Sequence, residues 1–449
     1  MINLLVNFKK TVLNSVKQLS PKLYDGLTTE LHKRLIKGSF WSILGGLSSK
    51  GLTLISAIIV ARMLDERTFG EYGVIKSTVS MFIVFAGFGM GVTATRYIAQ
   101  YNKKDKEKAG RIIALVTVFG VITAVLMSSI VFTFSEYLAG ETLGAISLKE
   151  ELQLASIILF FSALNSVQNG ILVGFENFKT LTRISILSSL ISVPSQLLLS
   201  YYFGLFGALI GYGLNFFVAW CLSVFSVRKL AKTNNIDINY LNCLSELNLI
   251  YKFSVPAVIT GVMVSPVIWA CNAILVNSKD GYIQMGLFEA ANQWRILILF
   301  IPGLISQIAL PMLSEVENSY DDFKKIFKLN IKVNLLVSAV VALSVSILSS
   351  HIISFYGTSY RDSRTILIIL AVSSVLISVN NVIGKALASK NLLWYGFLFN
   401  CIWAGAQLVC AFYFIRIGYG GKGLALSFLV SYLIHTIVQY TFLKRSKII

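Results

Sequence analysis

Met285 to Leu313 reads MGLFEAANQWRILILFIPGLISQIALPML, a run long and apolar enough to cross a bilayer. It also carries Glu289, Asn292, Gln293 and Arg295 near one end and Pro302 near its middle. A charge within a membrane span costs roughly 2.5–3.5 kcal/mol on insertion scales, so it faces a polar cavity or a partner rather than lipid. The stretch therefore predicts a membrane helix that lines a cavity.

The rest of the chain extends that reading. Of its 449 residues 55% are hydrophobic and 13% charged, with mean hydropathy +0.73. No soluble core hides so much apolar surface, and an all-α polytopic membrane protein is predicted. Twelve apolar runs are expected as spans, near residues 39–61, 72–96, 112–134, 152–173, 184–202, 204–226, 253–276, 286–310, 329–349, 364–388, 393–414 and 421–443. The net charge of +18 raises the question of nucleic acid. The basic residues lie in short gaps between apolar runs, however, with no folded basic domain to grip a duplex, so the charge reads as a topology signal and no nucleic-acid partner is expected.

Counting Lys and Arg by side sets the expected orientation. With a cytoplasmic N-terminus, 28 fall on that side and eight on the other, while Lys50, Lys76 and Arg295 lie within spans. The positive-inside rule then places both termini in the cytoplasm. Residues 1–38 mix apolar and basic positions and read as a cytoplasmic or interfacial amphipathic segment, with no small-residue cleavage site to mark a signal peptide. The five cysteines have no metal-ligand spacing and read as packing residues.

The two halves resemble each other. Gly70-Glu71-Tyr72 at the start of span 2 matches Gly286-Leu287-Phe288 at the start of span 8, an offset of 216, and the same offset relates Gly204 and Gly207 to Gly420 and Gly423. Six spans per half give repeats of equal orientation, about an axis along the membrane normal. The expected units are an N-lobe at 39–227, a cytoplasmic linker at 228–252, a C-lobe at 253–443 and a cytoplasmic tail at 444–449. Two pseudo-symmetric six-helix lobes around a central cavity are a transporter layout.

The residues expected to serve that cavity are few. Lys50 sits halfway along span 1, on a face with Ser42, Gly46, Ser49, Thr53 and Ala57, and its stem reaches water from there only with difficulty. Lys76 lies about one turn inside span 2, where snorkelling rivals a cavity role. In span 8, Glu289, Asn292 and Arg295 follow at i, i+3 and i+6. Glu289 is read either as an ion-pair partner on another helix or as a titrating, ion-coupling group, and Arg295 as a fork for an anion. Lys50, Lys76, Asn292 and Arg295 are thus the substrate-binding candidates. Arg96 and Lys385 are placed at the cytoplasmic entrance, and Pro256, Pro266 and Pro302 at a kinked gate. The Ser and Asn stripes of spans 4 and 10 (Ser162, Asn165, Asn169; Ser374, Ser378, Asn381) either bond between helices or line a passage. No P-loop, dinucleotide fingerprint or catalytic triad is present in the sequence, so no cofactor and no ATP hydrolysis is expected.

Four stretches carry a family resemblance: VARMLDERTFGEYGVI (60–75), GFGMGVTATRYIAQYNKKD (87–105), NGILVGFENFK (169–179), and GLFEAANQW to PMLSE (286–315). Through them the chain resembles the Wzx-type polysaccharide flippases of the multidrug/oligosaccharidyl-lipid/polysaccharide exporter superfamily. The resemblance implies a two-lobed bundle in the bacterial cytoplasmic membrane, not an enzyme, that carries undecaprenyl-pyrophosphate-linked oligosaccharide between leaflets by alternating access. The lipid-linked oligosaccharide, membrane lipid and the polysaccharide polymerase machinery are the expected partners, and the chain is expected to act as a monomer. A lipid II flippase, a cation-coupled drug exporter and a membrane polymerase or ligase stand as alternatives. A cation exporter should carry intramembrane carboxylates, whereas these spans hold one, Glu289, against Lys50, Lys76 and Arg295, so anionic cargo fits better.

Overall fold

The computed structural model describes residues 30–250, 254, 263–316, 319–390, 392–446 and 448. Most of the amphipathic N-terminal segment, and Pro256, lie outside them. Among the described residues there is no strand. The main helices are α1 (Glu30–Met63), α2 (Glu66–Gly87), α3 (Met90–Tyr101), α4 (Lys106–Thr133), α5 (Lys149–Gly174), α6 (Phe178–Thr233), α7 (Val264–Val276), α8 (Gly281–Glu315), α9 (Tyr320–Ile347), α10 (Ser363–Ser389), α11 (Leu393–Phe414) and α12 (Gly420–Arg445). Eight described segments are long and apolar enough to cross a membrane, and two of them, 178–233 and 393–445, each hold two legs. The chain is an all-α polytopic membrane protein.

Local chemistry explains the breaks. Asp65, Asp105 and Asn177 each cap the helix that follows, accepting from the backbone N–H three residues on at 2.9, 2.9 and 3.2 Å. Among the described residues, 30–38 are helical and continuous with the first span. The second expected span is two helices: Phe88 and Gly89 take left-handed angles (φ 38 and 66) and part α2 from α3. Its counterpart α8 runs unbroken through Pro302.

The repeat is visible in the backbone. Gly204 turns at φ 54, ψ −130 and Gly420 at φ 49, ψ −129, a conformation open only to glycine, at the two positions the offset of 216 relates. Each is followed three residues on by a glycine packed on the preceding leg: a Cβ on Gly207 would lie 2.0 Å from the Leu199 carbonyl oxygen, and one on Gly423 3.0 Å from Phe414.

The core falls into three clusters. One runs through both lobes, from Val60, Phe69 and Ile75 of the first to Phe288, Tyr360 and Phe428 of the second. The others are confined to single lobes, one around Met90, Ile112, Ile171 and Val227, the other around Phe323, Ile383, Phe399 and Leu443. The shared cluster takes in the turns α1–α2, α4–α5, α7–α8 and α9–α10, which meet across the lobes: the Tyr360 hydroxyl reaches the Ala61 and Asp65 carbonyls (3.0 and 3.1 Å), and Tyr282 and Asn277 donate to Leu143 and Thr142 (2.7 and 2.8 Å). The single-lobe clusters lie toward the opposite ends, which carry the chain's C-terminal Leu443 and the α3–α4 turn. The lobes are thus joined at one membrane face and have separate cores toward the other. Many large apolar side chains remain exposed, among them Leu198, Phe225, Leu343, Ile347 and Val409, as expected where lipid is the solvent.

Candidate functional site

The seam between the lobes is the pair α2 and α8. Gly70 and Gly286, mates in the repeat, let the two helices touch: a Cβ on Gly70 would sit 1.9 Å from the Tyr282 carbonyl oxygen, and one on Gly286 1.9 Å from that of Glu66. One turn further in, Gly73 makes room for Glu289, whose Cγ is 3.1 Å from where a Cβ would stand. Lys76 then donates to Glu289 Oε1 at 3.0 Å, across the lobes. Lys76 is held over the rings of Tyr72 (5.0 Å) and Tyr212 (5.7 Å), so it does not snorkel to the surface. The Tyr72 hydroxyl accepts from Gln196, which also takes a bond from Ser56, so the lysine's aromatic shelf is itself fixed.

Glu289 is fully engaged. Its Oε1 also accepts from Gln293 and its Oε2 from Asn292 at 3.1 Å, and Asn292 in turn accepts from Arg295 Nε at 2.8 Å. The i, i+3, i+6 ridge is therefore one connected chain of bonds, from Lys76 to Arg295. The Arg295 guanidinium lies 4.7 Å over the Phe428 ring, which stacks on Phe288. Lys50, on α1, sits 5.6 Å over Phe300, a ring seated on Gly46. Phe300 follows Arg295 on α8 by roughly 7.5 Å of helical rise, so both cations address one helix at neighbouring depths. Neither Lys50 nor Arg295 has an ion-pair partner among the described residues, whereas the one span carboxylate is neutralised by Lys76.

The other expected residues are more scattered. Arg96 is exposed midway along α3, over Tyr97 at 5.5 Å, and Lys385 is partly buried in the last turns of α10. Pro266 lies in the first turn of α7, where a missing N–H leaves no helical bond unmade, and Pro302 is buried in continuous helix. Of the polar stripes, Ser162, Ser374 and Ser378 are buried and bond to backbone carbonyls, at 2.9, 2.7 and 3.4 Å. Ser49 bonds Ser189 at 3.0 Å between α1 and α6, so this part of the α1 face packs against a neighbour. In the α4–α5 gap, Glu136 accepts from Lys149 at 2.6 Å, which holds its carboxyl below the usual range.

Tyr72, Tyr212, Phe428 and Gln196 were not singled out from the sequence. The signal that reaches them is the repeat: α2 and α8 are mates that touch, so residues within a turn of each other's mate positions meet across the axis. Lys76 has Asn292 as mate, and Glu289 is one turn from it.

Comparison with known proteins follows this geometry. Residues 35–317 match the family described as polysaccharide biosynthesis protein. A curated relative, the EPS I polysaccharide export inner membrane protein EpsE of Ralstonia nicotianae, is 22% identical over 87% of this chain and 90% of its own length. Among solved structures, an inward-facing multidrug resistance MATE family transporter of the MOP superfamily superposes with a TM-score of 0.73 at 14% identity, covering 89% of this chain and 94% of the other. The lipid II flippase MurJ, in an inward closed conformation, does so with a TM-score of 0.72 at 17% identity, covering 91% and 89%. Fold and sequence agree: the chain is a multi-pass membrane protein with the fold of that transporter superfamily, and it belongs to the polysaccharide biosynthesis protein family.

Proposed function

We propose that this protein flips a lipid-linked oligosaccharide, with undecaprenyl pyrophosphate as the carrier, from the cytoplasmic to the outer leaflet of the bacterial cytoplasmic membrane, both termini being cytoplasmic. The observation that carries the reading is the sign of the lobe seam. Lys76 pairs with Glu289, and Lys50 and Arg295, on opposite lobes, have no ion-pair partner among the described residues. A pyrophosphate presents several acceptor oxygens to such a pair, and a guanidinium positioned by a neutral amide instead of a carboxylate keeps its remaining N–H donors for the ligand.

In this account the headgroup enters where the lobe cores are separate, the pyrophosphate sits at Lys50 and Arg295, and the prenyl chain stays in lipid. Closure at that end and parting of the α2–α8 seam then present the sugar to the other side. Arg96 and Lys385 serve the entrance, and Pro302, repeat mate of Ala86 beside the α2–α3 break, is where the now continuous α8 gives way as the seam parts. The reading is tested by Arg295→Ala and Lys50→Ala, each expected to leave the protein in the membrane at normal level while surface polysaccharide is lost. Normal export in both variants sinks the assignment. A drug exporter is the reading to adopt if expression confers drug resistance that Glu289→Gln abolishes.

A further inference from the structure

A groove away from the lobe seam has the makings of a second ligand site. It holds about 140 Å³ between α4, α5, the second leg of α6 and the linker, with Val121, Leu164 and Trp220 in its walls and Thr117, Gln168, Arg228 and Tyr240 as its polar members. Gln168 is only 6% exposed, and its amide oxygen has no hydrogen-bond partner. A buried amide left unbonded among apolar walls is costly, and a ligand that meets it offsets that cost. Arg228 is exposed at the mouth with no ion-pair partner among the described residues, and Lys229 and Lys232 follow on the same leg.

The mouth does not face plain water. Tyr240 is 52% exposed, Leu241 93% and Leu244 56%, an apolar fringe on the linker beside the basic end of α6. Such a pairing of apolar and basic groups belongs at the boundary of headgroups and acyl chains. Below the mouth, Val125 and Leu126 of α4 and Phe225 of α6 are exposed along the membrane-facing surface. The volume suits a glycerol-phosphate head and not a whole lipid, and the outer surface supplies a bed for chains.

We propose that this groove binds the head of an anionic glycerophospholipid, the phosphate on Arg228, a head hydroxyl donating to the Gln168 amide oxygen, and the chains along α4 and α6. The lipid ties the inter-lobe linker, through Ile238 and Tyr240, to the N-lobe. This site is independent of the cargo site and of the proposed transport.

The test uses the full chain in an uncharged detergent, with bound lipid counted by native mass spectrometry. The probes are phosphatidylglycerol, phosphatidylcholine of the same acyl chains, and inorganic phosphate. One phosphatidylglycerol should be retained per chain, and Arg228→Gln and Gln168→Leu should each weaken it by about tenfold. Phosphatidylcholine should not replace it and inorganic phosphate should not compete. Because Arg228 is exposed, its variant keeps the fold and decides the matter even if Gln168→Leu does not. Equal retention of phosphatidylcholine, displacement by inorganic phosphate, or undiminished phosphatidylglycerol on Arg228→Gln each overturns the proposal.

Discussion

Lys76 and Glu289 lie 213 positions apart, and their bond fixes what each can do. Removing one partner of a buried ion pair leaves an uncompensated charge, which costs about 3–5 kcal/mol, whereas replacing both by apolar groups is near neutral. Lys76→Met or Glu289→Leu alone should therefore lower the thermal unfolding midpoint in detergent, and the two together should restore most of it. An additive loss in the double variant contradicts the pairing. Arg295 behaves differently, because its bonds are to Asn292 and the Phe428 ring, not to a carboxylate. Arg295→Lys keeps the charge and loses the planar fork, so it should retain expression and only a fraction of export, between Arg295→Ala and the unaltered chain, measured as surface polysaccharide. Three intramembrane cations were legible in the sequence, but which of them was already paired was not. Pairing is a property of the seam between distant helices, and only the contact of the mates Gly70 and Gly286 reveals it.

Helix α8 is what the opening stretch becomes, and its contact with α2 decides how the lobes close. A leucine at Gly286 would drive side-chain atoms into the Glu66 carbonyl, since even a Cβ would lie 1.9 Å from it. Gly286→Leu should hold the seam apart: labelling of a cysteine placed at Ser77, which bonds Asn272 across it, should rise, and export should fall. Unchanged labelling sinks the crossing as a gate. Gly204 and Gly420 test the repeat itself, because both take glycine-only angles. Alanine at either should destabilise by about 1–3 kcal/mol, by similar amounts at the two sites. The hydrophobic runs made the spans readable, and the glycine offset made the repeat readable. The break at Phe88-Gly89 was not, since glycines within a span serve packing as readily as a turn: a Cβ on Gly91 would lie 2.9 Å from the Ser166 carbonyl oxygen, whereas one on Gly87 would meet nothing. Pro266 falls in a first turn and α8 runs on through Pro302, so neither proline marks a break among the described residues.

One core is shared by the lobes at one face, and two are confined to single lobes toward the other. Transport by alternating access then requires the shared face to part, so cross-linking the turns that meet there should stop it. With the native cysteines replaced, a bifunctional reagent between cysteines at Thr142 and Asn277, which now meet through a 2.8 Å bond, should abolish export, and a cleavable reagent should allow recovery on cleavage. The polarity of the seam is what favours the proposed anionic, lipid-borne cargo, and that is the claim on which the account stands. It is tested most directly by deleting the gene and determining the leaflet in which the lipid-linked oligosaccharide collects, with the Arg295→Ala chain supplied back in parallel. The account predicts accumulation in the cytoplasmic leaflet in both strains, and accumulation of the intermediate in the outer leaflet would contradict it.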